Sequence, residues 1–147
     1  MPFFMQIWGI IVALDSCHEQ VVNALRKAGW QVNDKPVHMR ADGLAVFADL
    51  QAQLNNGSVQ TIIIVEVKCF ADERFDQDEL YRAVGQYLLY RSMLRVRGFE
   101  TPLYLAIPEP VYHRLFLKNV VQDVVRESRI KLIVVDINRE EVLQWWG

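Results

Sequence analysis

Glu66 and Lys68 interrupt the most apolar stretch of the chain, TIIIVEVKCF at residues 61–70. On a β-strand side chains alternate between faces, so these two charges point one way while Val65 and Val67 point the other. Charges at the end of so apolar a strand cost desolvation energy unless they are paired, hydrated or bound to a metal. Asp49, seventeen residues earlier, ends a second apolar run, LAVFADL, a separation that suits two adjacent strands joined by a turn. Two neighbouring carboxylates repel each other, and a hard divalent cation relieves that repulsion. Mg²⁺ is often held by one or two carboxylates together with phosphate and water. A lysine beside the pair stabilises negative charge that develops during attack on phosphorus. These residue types in this spacing point to metal-assisted phosphodiester hydrolysis. A same-face ion pair at a strand end, with Asp49 as a turn residue, accounts for the spacing equally well.

The elements that must position these residues follow from periodicity and punctuation. Asp15 or Ser16 caps a helix running to about Ala28, with Glu19 completing a capping box and Val21, Val22 and Leu25 forming the apolar face. Gly29 ends it. Residues 30–37 read as a first strand and 44–50 as a second, with Asn55-Asn56-Gly57-Ser58 as the following turn. The third strand, residues 60–69, lacks alternation and is rich in β-branched residues, which places it mid-sheet, covered on both faces. The longest helix spans about 77–97, with Leu80, Val84, Tyr87, Leu88, Arg91 and Leu94 at helical spacing. A strand at LYLAIP, a helix over 111–127 buried through Val120, Val121, Val124 and Val125, a strand over 130–137 and a short last strand at 142–146 complete the chain. The order is α-β-β-β-α-β-α-β-β, a single α/β domain over residues 15–147. Residues 1–14 form an apolar accessory segment, with Phe3, Phe4, Ile7, Ile10, Ile11 and Leu14 at approximate helical spacing. That run is far short of the roughly 20 residues a membrane-spanning helix needs, and it lacks the basic start and cleavage site of a secretory signal.

The composition, 52% hydrophobic and 23% charged over 147 residues, is that of one globular domain with a substantial core. A net charge of −2 gives no bulk footprint for nucleic acid, so DNA contact would need a local basic patch. Arg74, Arg82, Arg91, Arg95, Arg97 and Arg114 are the candidates, against the plainer reading of a solvated helix surface. Cys17 and Cys69 show neither zinc spacing nor a disulfide framework, so reduced thiols of a cytoplasmic protein are expected. His38 and His113 have no partner at metal spacing. Trp145-Trp146 suggests a hydrophobic edge that packs or pairs with another chain.

Asp followed by Glu-x-Lys on neighbouring strands, between two helices, resembles the PD-(D/E)XK nuclease superfamily, although Ala48 stands where its name has proline. The blocks VEVKCF, AVGQYLLYR, LYLAIPEPVYHRLF and KLIVVDINREEVLQWW resemble the XisH family, small cyanobacterial proteins described as excision controlling factors for the fdxN DNA element. The likeness runs from about His18 to Trp146. It implies a restriction-endonuclease-like fold, a central mixed β-sheet flanked by helices. It implies Asp49 and Glu66 as metal carboxylates, the Val67 backbone carbonyl as a further ligand, and Lys68 as the catalytic lysine. Gln86 and Tyr90 match a Gln-x-x-x-Tyr element of some branches, Gln86 orienting the lysine or a phosphate and Tyr90 hydrogen-bonding nearby. Glu19 matches an accessory acid on the first helix, with His18 beside it as the alternative polar group. The segment Leu50-Gln51-Ala52-Gln53 departs from the Gly-Ala-Glu expected after the first Asp, replacing an additional acid by an amide.

Two functions compete. One is a Mg²⁺- or Mn²⁺-dependent DNA endonuclease. The other is a non-catalytic factor that binds DNA or protein and controls excision together with a XisI-like partner, which the resemblance supplies. A homodimer formed through the apolar N-terminus and the Trp-rich C-terminus is a third, structural reading.

Overall fold

The computed structural model describes residues 16–147 in full and, before them, the backbone of two strands, β1 (Phe3–Ile7) and β2 (Ile10–Leu14). These pair antiparallel, so the helical spacing expected for this segment is overturned. Its Phe, Ile and Val content favours extended backbone, and that preference outweighs a weak 3.6-residue pattern. Asp15, expected as a helix cap, lies outside the described residues.

The site rests on a six-stranded mixed sheet. Its strands, in spatial order, are β10 (Glu141–Trp146), β9 (Lys131–Asp136), β8 (Leu103–Pro108), β7 (Val59–Val67), β6 (Leu50–Asn56) and β3 (Gln31–Asn33). β7 pairs parallel with β8, and β8 parallel with β9; the other pairings are antiparallel. The stretch TIIIVEVKCF thus lies mid-sheet, as its unbroken β-branched run dictates. Alternation along β7 sends Ile63, Val65 and Val67 to one face and Ile64 to the other.

The first face is covered by α1 (His18–Lys27), through Val21, Val22, Ala24 and Leu25. Cys17, not Ser16, occupies its N-cap position and makes no side-chain cap bond, so the expected capping box does not form. At the other end Gly29, at φ +97°, lets its own N–H reach the Arg26 carbonyl and that of Trp30 reach Leu25. The second face is covered by α2 (Asp76–Val96), the short helix α3 (Glu109–Val111) with a π-helical turn over Tyr112–Phe116, and α4 (Asn119–Glu127). Tyr87 of α2 ties the layers together: its hydroxyl donates to the Leu103 carbonyl at 2.7 Å and accepts the Lys131 N–H at 3.0 Å.

Three sequence expectations change here. The first strand, read as 30–37, divides into β3 and β4 (Val37–Ala41), and the second, read as 44–50, ends as β5 (Leu44–Ala48). β4 and β5 form their own hairpin, turned by Asp42 and Gly43, both at positive φ as a tight two-residue Asp-Gly turn requires. β6 then runs through residues whose amides mask any strand pattern, Gln51, Gln53, Asn55 and Asn56. The helix expected over 111–127 breaks at extended Lys118, which restarts it as α4 and leaves Val120 77% exposed instead of buried.

Candidate functional site

Asp49 sits on the bend where the chain leaves β5 and enters β6. Leu50 pairs with Val65, so the register sets Asp49 beside the end of β7, where Glu66 and Lys68 stand. Its Oδ2 accepts the Val67 N–H at 2.7 Å. Asp49 and Glu66 are 8% and 5% exposed, and with His18 they are the polar residues buried most deeply among those described. The two carboxyl groups lie close enough for Glu66 to bear on the ionisation of Asp49, and two ionised carboxylates side by side repel each other. Burial holds the Asp49 carboxyl above its ordinary value, against the Val67 N–H, the His18 imidazole, Glu66 and the half-buried Lys68 ammonium, which favour ionisation.

α2 closes the site from the second face. Tyr90, 8% exposed, has its hydroxyl held well above its ordinary value, first by burial and then by the charges of Glu66 and Asp49. Gln86 lies one turn earlier on the same side of α2, half-buried, its Oε1 buried without a hydrogen-bond partner among the described residues. The structure therefore gathers Asp49, Glu66, Lys68 and Tyr90, with Gln86 one turn along. It leaves Glu19 exposed on α1.

Two features that sequence reasoning did not find lie close by, the first at His18, which it offered only as the alternative to Glu19. His18, the first residue of α1, is 4% exposed, and its Nε2 lies 2.5 Å from Asp34 Oδ1. Its burial on an N-terminal helical turn carries no periodic signal, and Asp34 falls within the residues read as a first strand, 30–37. The second surprise is covalent. Cys17 and Cys69 form a disulfide, with Cα atoms 5.8 Å apart, which corrects the expectation of free thiols. Fifty-two residues of sequence separate the two, and only the packing of α1 across the end of β7 joins them.

Of the six arginines considered as a basic face, three are held by acids: Arg74 by Asp72, Arg82 by Glu79 and Arg114 by Asp76. Arg91 and Arg97 donate to the carbonyls of Ser128 and Arg40. A cavity of about 720 Å³ opens elsewhere, between α4 and the end of β10, lined largely by Tyr112, Phe116, Val125, Ile130, Leu132 and Trp146. Its walls hold no acid or histidine. Among the described residues no three His, Cys, Asp or Glu side chains are arranged to hold a metal between them. None of the described helices is long and apolar enough to cross a membrane.

A three-layer α/β/α protein with a buried carboxylate pair and a lysine at the end of its central strand is the class that this geometry defines. The family model described as XisH protein matches residues 11–143, and the chain belongs to the XisH family. It is similar to the crystal structure of a XisH family protein from Nostoc punctiforme PCC 73102, at 31% identity and a TM-score of 0.81, covering 90% of this chain and all of that one. It is also similar to a protein of Anabaena variabilis described as a fdxN element excision controlling factor. That match has 32% identity and a TM-score of 0.79 over 88% of this chain and 97% of the other. No curated protein matches the chain.

Proposed function

We propose that this chain takes part in controlled excision of a DNA element, in the cytoplasm, by hydrolysing DNA phosphodiester bonds on a PD-(D/E)XK nuclease-like fold. The observation that carries this reading is the Asp49–Glu66 contact. Two buried carboxyl groups set side by side repel each other when both are ionised, and a divalent cation between them relieves that repulsion. The residues present fit Mg²⁺ or Mn²⁺. Asp49, Glu66 and the Val67 carbonyl would hold the ion, and when bound it would offset the paired charge and polarise a phosphoryl oxygen. Lys68 stabilises the charge that builds on the phosphoryl oxygens as water attacks. Tyr90 donates a hydrogen bond into the site, kept protonated by its surroundings. Gln86 orients Lys68 or a phosphate oxygen with its amide. The Val67 N–H fixes the Asp49 carboxylate so that it does not swing away with substrate.

Plasmid DNA incubated with the protein and Mg²⁺ or Mn²⁺ is expected to be nicked, and Glu66→Gln, close in shape but unable to ionise, is expected to abolish nicking. Equal nicking by both proteins overturns the hydrolytic reading.

A second reading, a binding factor that acts with a XisI-like protein, is favoured by the net charge of −2, which disfavours tight DNA binding by this chain alone. Under that reading Glu66→Gln supports excision as well as the wild type does, and the chain co-purifies with the XisI-like protein. Loss of excision in the variant returns the argument to the first.

A further inference from the structure

We propose that the Cys17–Cys69 bond is a redox-active modification site: a dithiol reduces it, and its opening releases Lys68 from its place beside the carboxylate pair. The proposal rests on the hydrolytic reading above and adds to it a control of that same site.

β7 ends at Val67, and residues 68–72 after it are irregular backbone. Lys68 is tied to the sheet by its N–H, which donates to the Ala106 carbonyl at 3.0 Å. Beyond Lys68 the chain is held from both faces. Cys69 turns to the first face, where it is bonded to Cys17 and its Sγ accepts the Cys17 N–H at 3.0 Å. Phe70 turns to the second face, where its ring meets that of Phe116 edge-on at 5.9 Å and its carbonyl accepts from Arg114 at 2.8 Å. Between these two holds Phe70 sits at φ +48°, in the left-handed region that an aromatic residue rarely adopts. Such a conformation is costly and persists only where the surroundings impose it.

One of the two holds is a bond that chemistry can open. Cutting Cys69 from Cys17 removes the grip of the first face, and the strained backbone two residues after Lys68 relaxes. Lys68 is near enough to Asp49 to bear on its carboxyl, so a shift of this segment moves the charge that the hydrolytic step uses. A misplacement of about 1 Å can cost on the order of 10²-fold in rate. The bond can also be reached. Cys69 lines an opening of about 350 Å³ at the carboxyl ends of β7, β8 and β9, with Pro108, Arg114 and Asn138 among its other walls. A small dithiol fits a space of that size. The cytoplasm proposed for this chain keeps thiols reduced, and disulfides that do form there are usually transient, catalytic or redox-sensing.

The exchange balances as follows. One sulfur of the dithiol bonds to Cys69 Sγ as the Cys17–Cys69 bond breaks, and Cys17 Sγ leaves with the electron pair and takes a proton. The second sulfur of the dithiol then bonds to the first, and Cys69 leaves and takes the other proton. The dithiol ends as a disulfide, oxidised by two electrons, and the two cysteines are reduced by the same two. A small-molecule disulfide reverses the exchange. Both cysteines act through Lys68 and are positioning residues.

The test follows the folded wild-type protein, without denaturant, before and after dithiothreitol. Iodoacetamide labelling read by mass is expected to rise from no thiol to both cysteines, with the circular dichroism spectrum unchanged. The Phe70 backbone couplings, which report φ, should leave the values of the left-handed region. In plasmid nicking with Mg²⁺, reduction should lower kcat about 10–100-fold and leave KM unmoved. Oxidised glutathione should restore kcat, which a collapsed protein would not allow. Cys17→Ser/Cys69→Ser should keep the low kcat with and without dithiothreitol. Reduction that needs denaturant overturns the proposal, as does a double variant that nicks at the oxidised rate; either leaves the bond a staple. If the wild type nicks nothing in either state, the hydrolytic reading fails, and the Phe70 couplings decide the rest. Their change on reduction keeps the bond as a redox clamp on this segment, and unmoved couplings remove it.

Discussion

Asp49 carries the most tightly defined burden in the molecule. It is buried, accepts the Val67 N–H, stands beside Glu66, and its carboxyl is held above the ordinary carboxylate value of 3.8. A carboxyl whose folded pKa exceeds its unfolded one favours folding relatively more at low pH, because the unfolded chain ionises first as pH rises. The metal-free protein therefore loses stability from Asp49 as pH climbs from about 3.8 through the higher folded value. Asp49→Asn keeps an oxygen for the Val67 N–H and removes the charge. It is expected to be more stable than wild type at pH 7 in chelator and no more stable near pH 3. Urea unfolding at the two pH values checks this; a less stable variant at pH 7 would mean that His18 and Lys68 more than offset burial.

At the scale of elements, the site is the meeting of one helix start, two strand ends and a bend. Covalent linkage reinforces only one of these junctions, between α1 and the end of β7, through Cys17 and Cys69. The bond closes a loop of 52 residues of sequence separation that contains β3, β4, β5, β6 and β7. Restricting a loop of that length in the unfolded chain is worth about 2–4 kcal/mol. Treatment with dithiothreitol, or the Cys17→Ser/Cys69→Ser pair, is expected to lower the unfolding free energy by that amount. Amide exchange should quicken first in α1, whose start the bond fixes. Unchanged urea midpoints with and without reductant would show that packing of Val21, Val22 and Leu25 suffices.

Across the whole molecule, the two cores on either face of one sheet make metal binding and folding a single equilibrium, because the unfolded chain does not bring Asp49 to Glu66. A cation that binds only the folded protein stabilises it by about 2.7 kcal/mol at a concentration one hundred times its dissociation constant. Mg²⁺ is accordingly expected to raise the wild-type melting temperature and to leave that of Glu66→Gln nearly unmoved. Equal shifts would place the cation elsewhere.

The apolar run of 61–70, the helix of 77–97 and the strand at LYLAIP were legible because their patterns are local: β-branched density, a 3.6-residue stripe and a terminating proline. Asp49, Glu66 and Lys68 stood out for a related reason, being charges where a buried strand tolerates few. Membership of the XisH family was legible as well, in blocks that run through most of the chain. The bend at Asp49, the separate β4–β5 hairpin and the restart of α4 were not, since each depends on which distant segment a strand or helix finds to pack against. The same holds for Cys17 with Cys69 and for His18 with Asp34. By itself the sequence determined which residues are costly to bury and so need partners. Only the tertiary structure decided which partners they have, because register and layer packing bring together side chains that lie tens of residues apart in the chain.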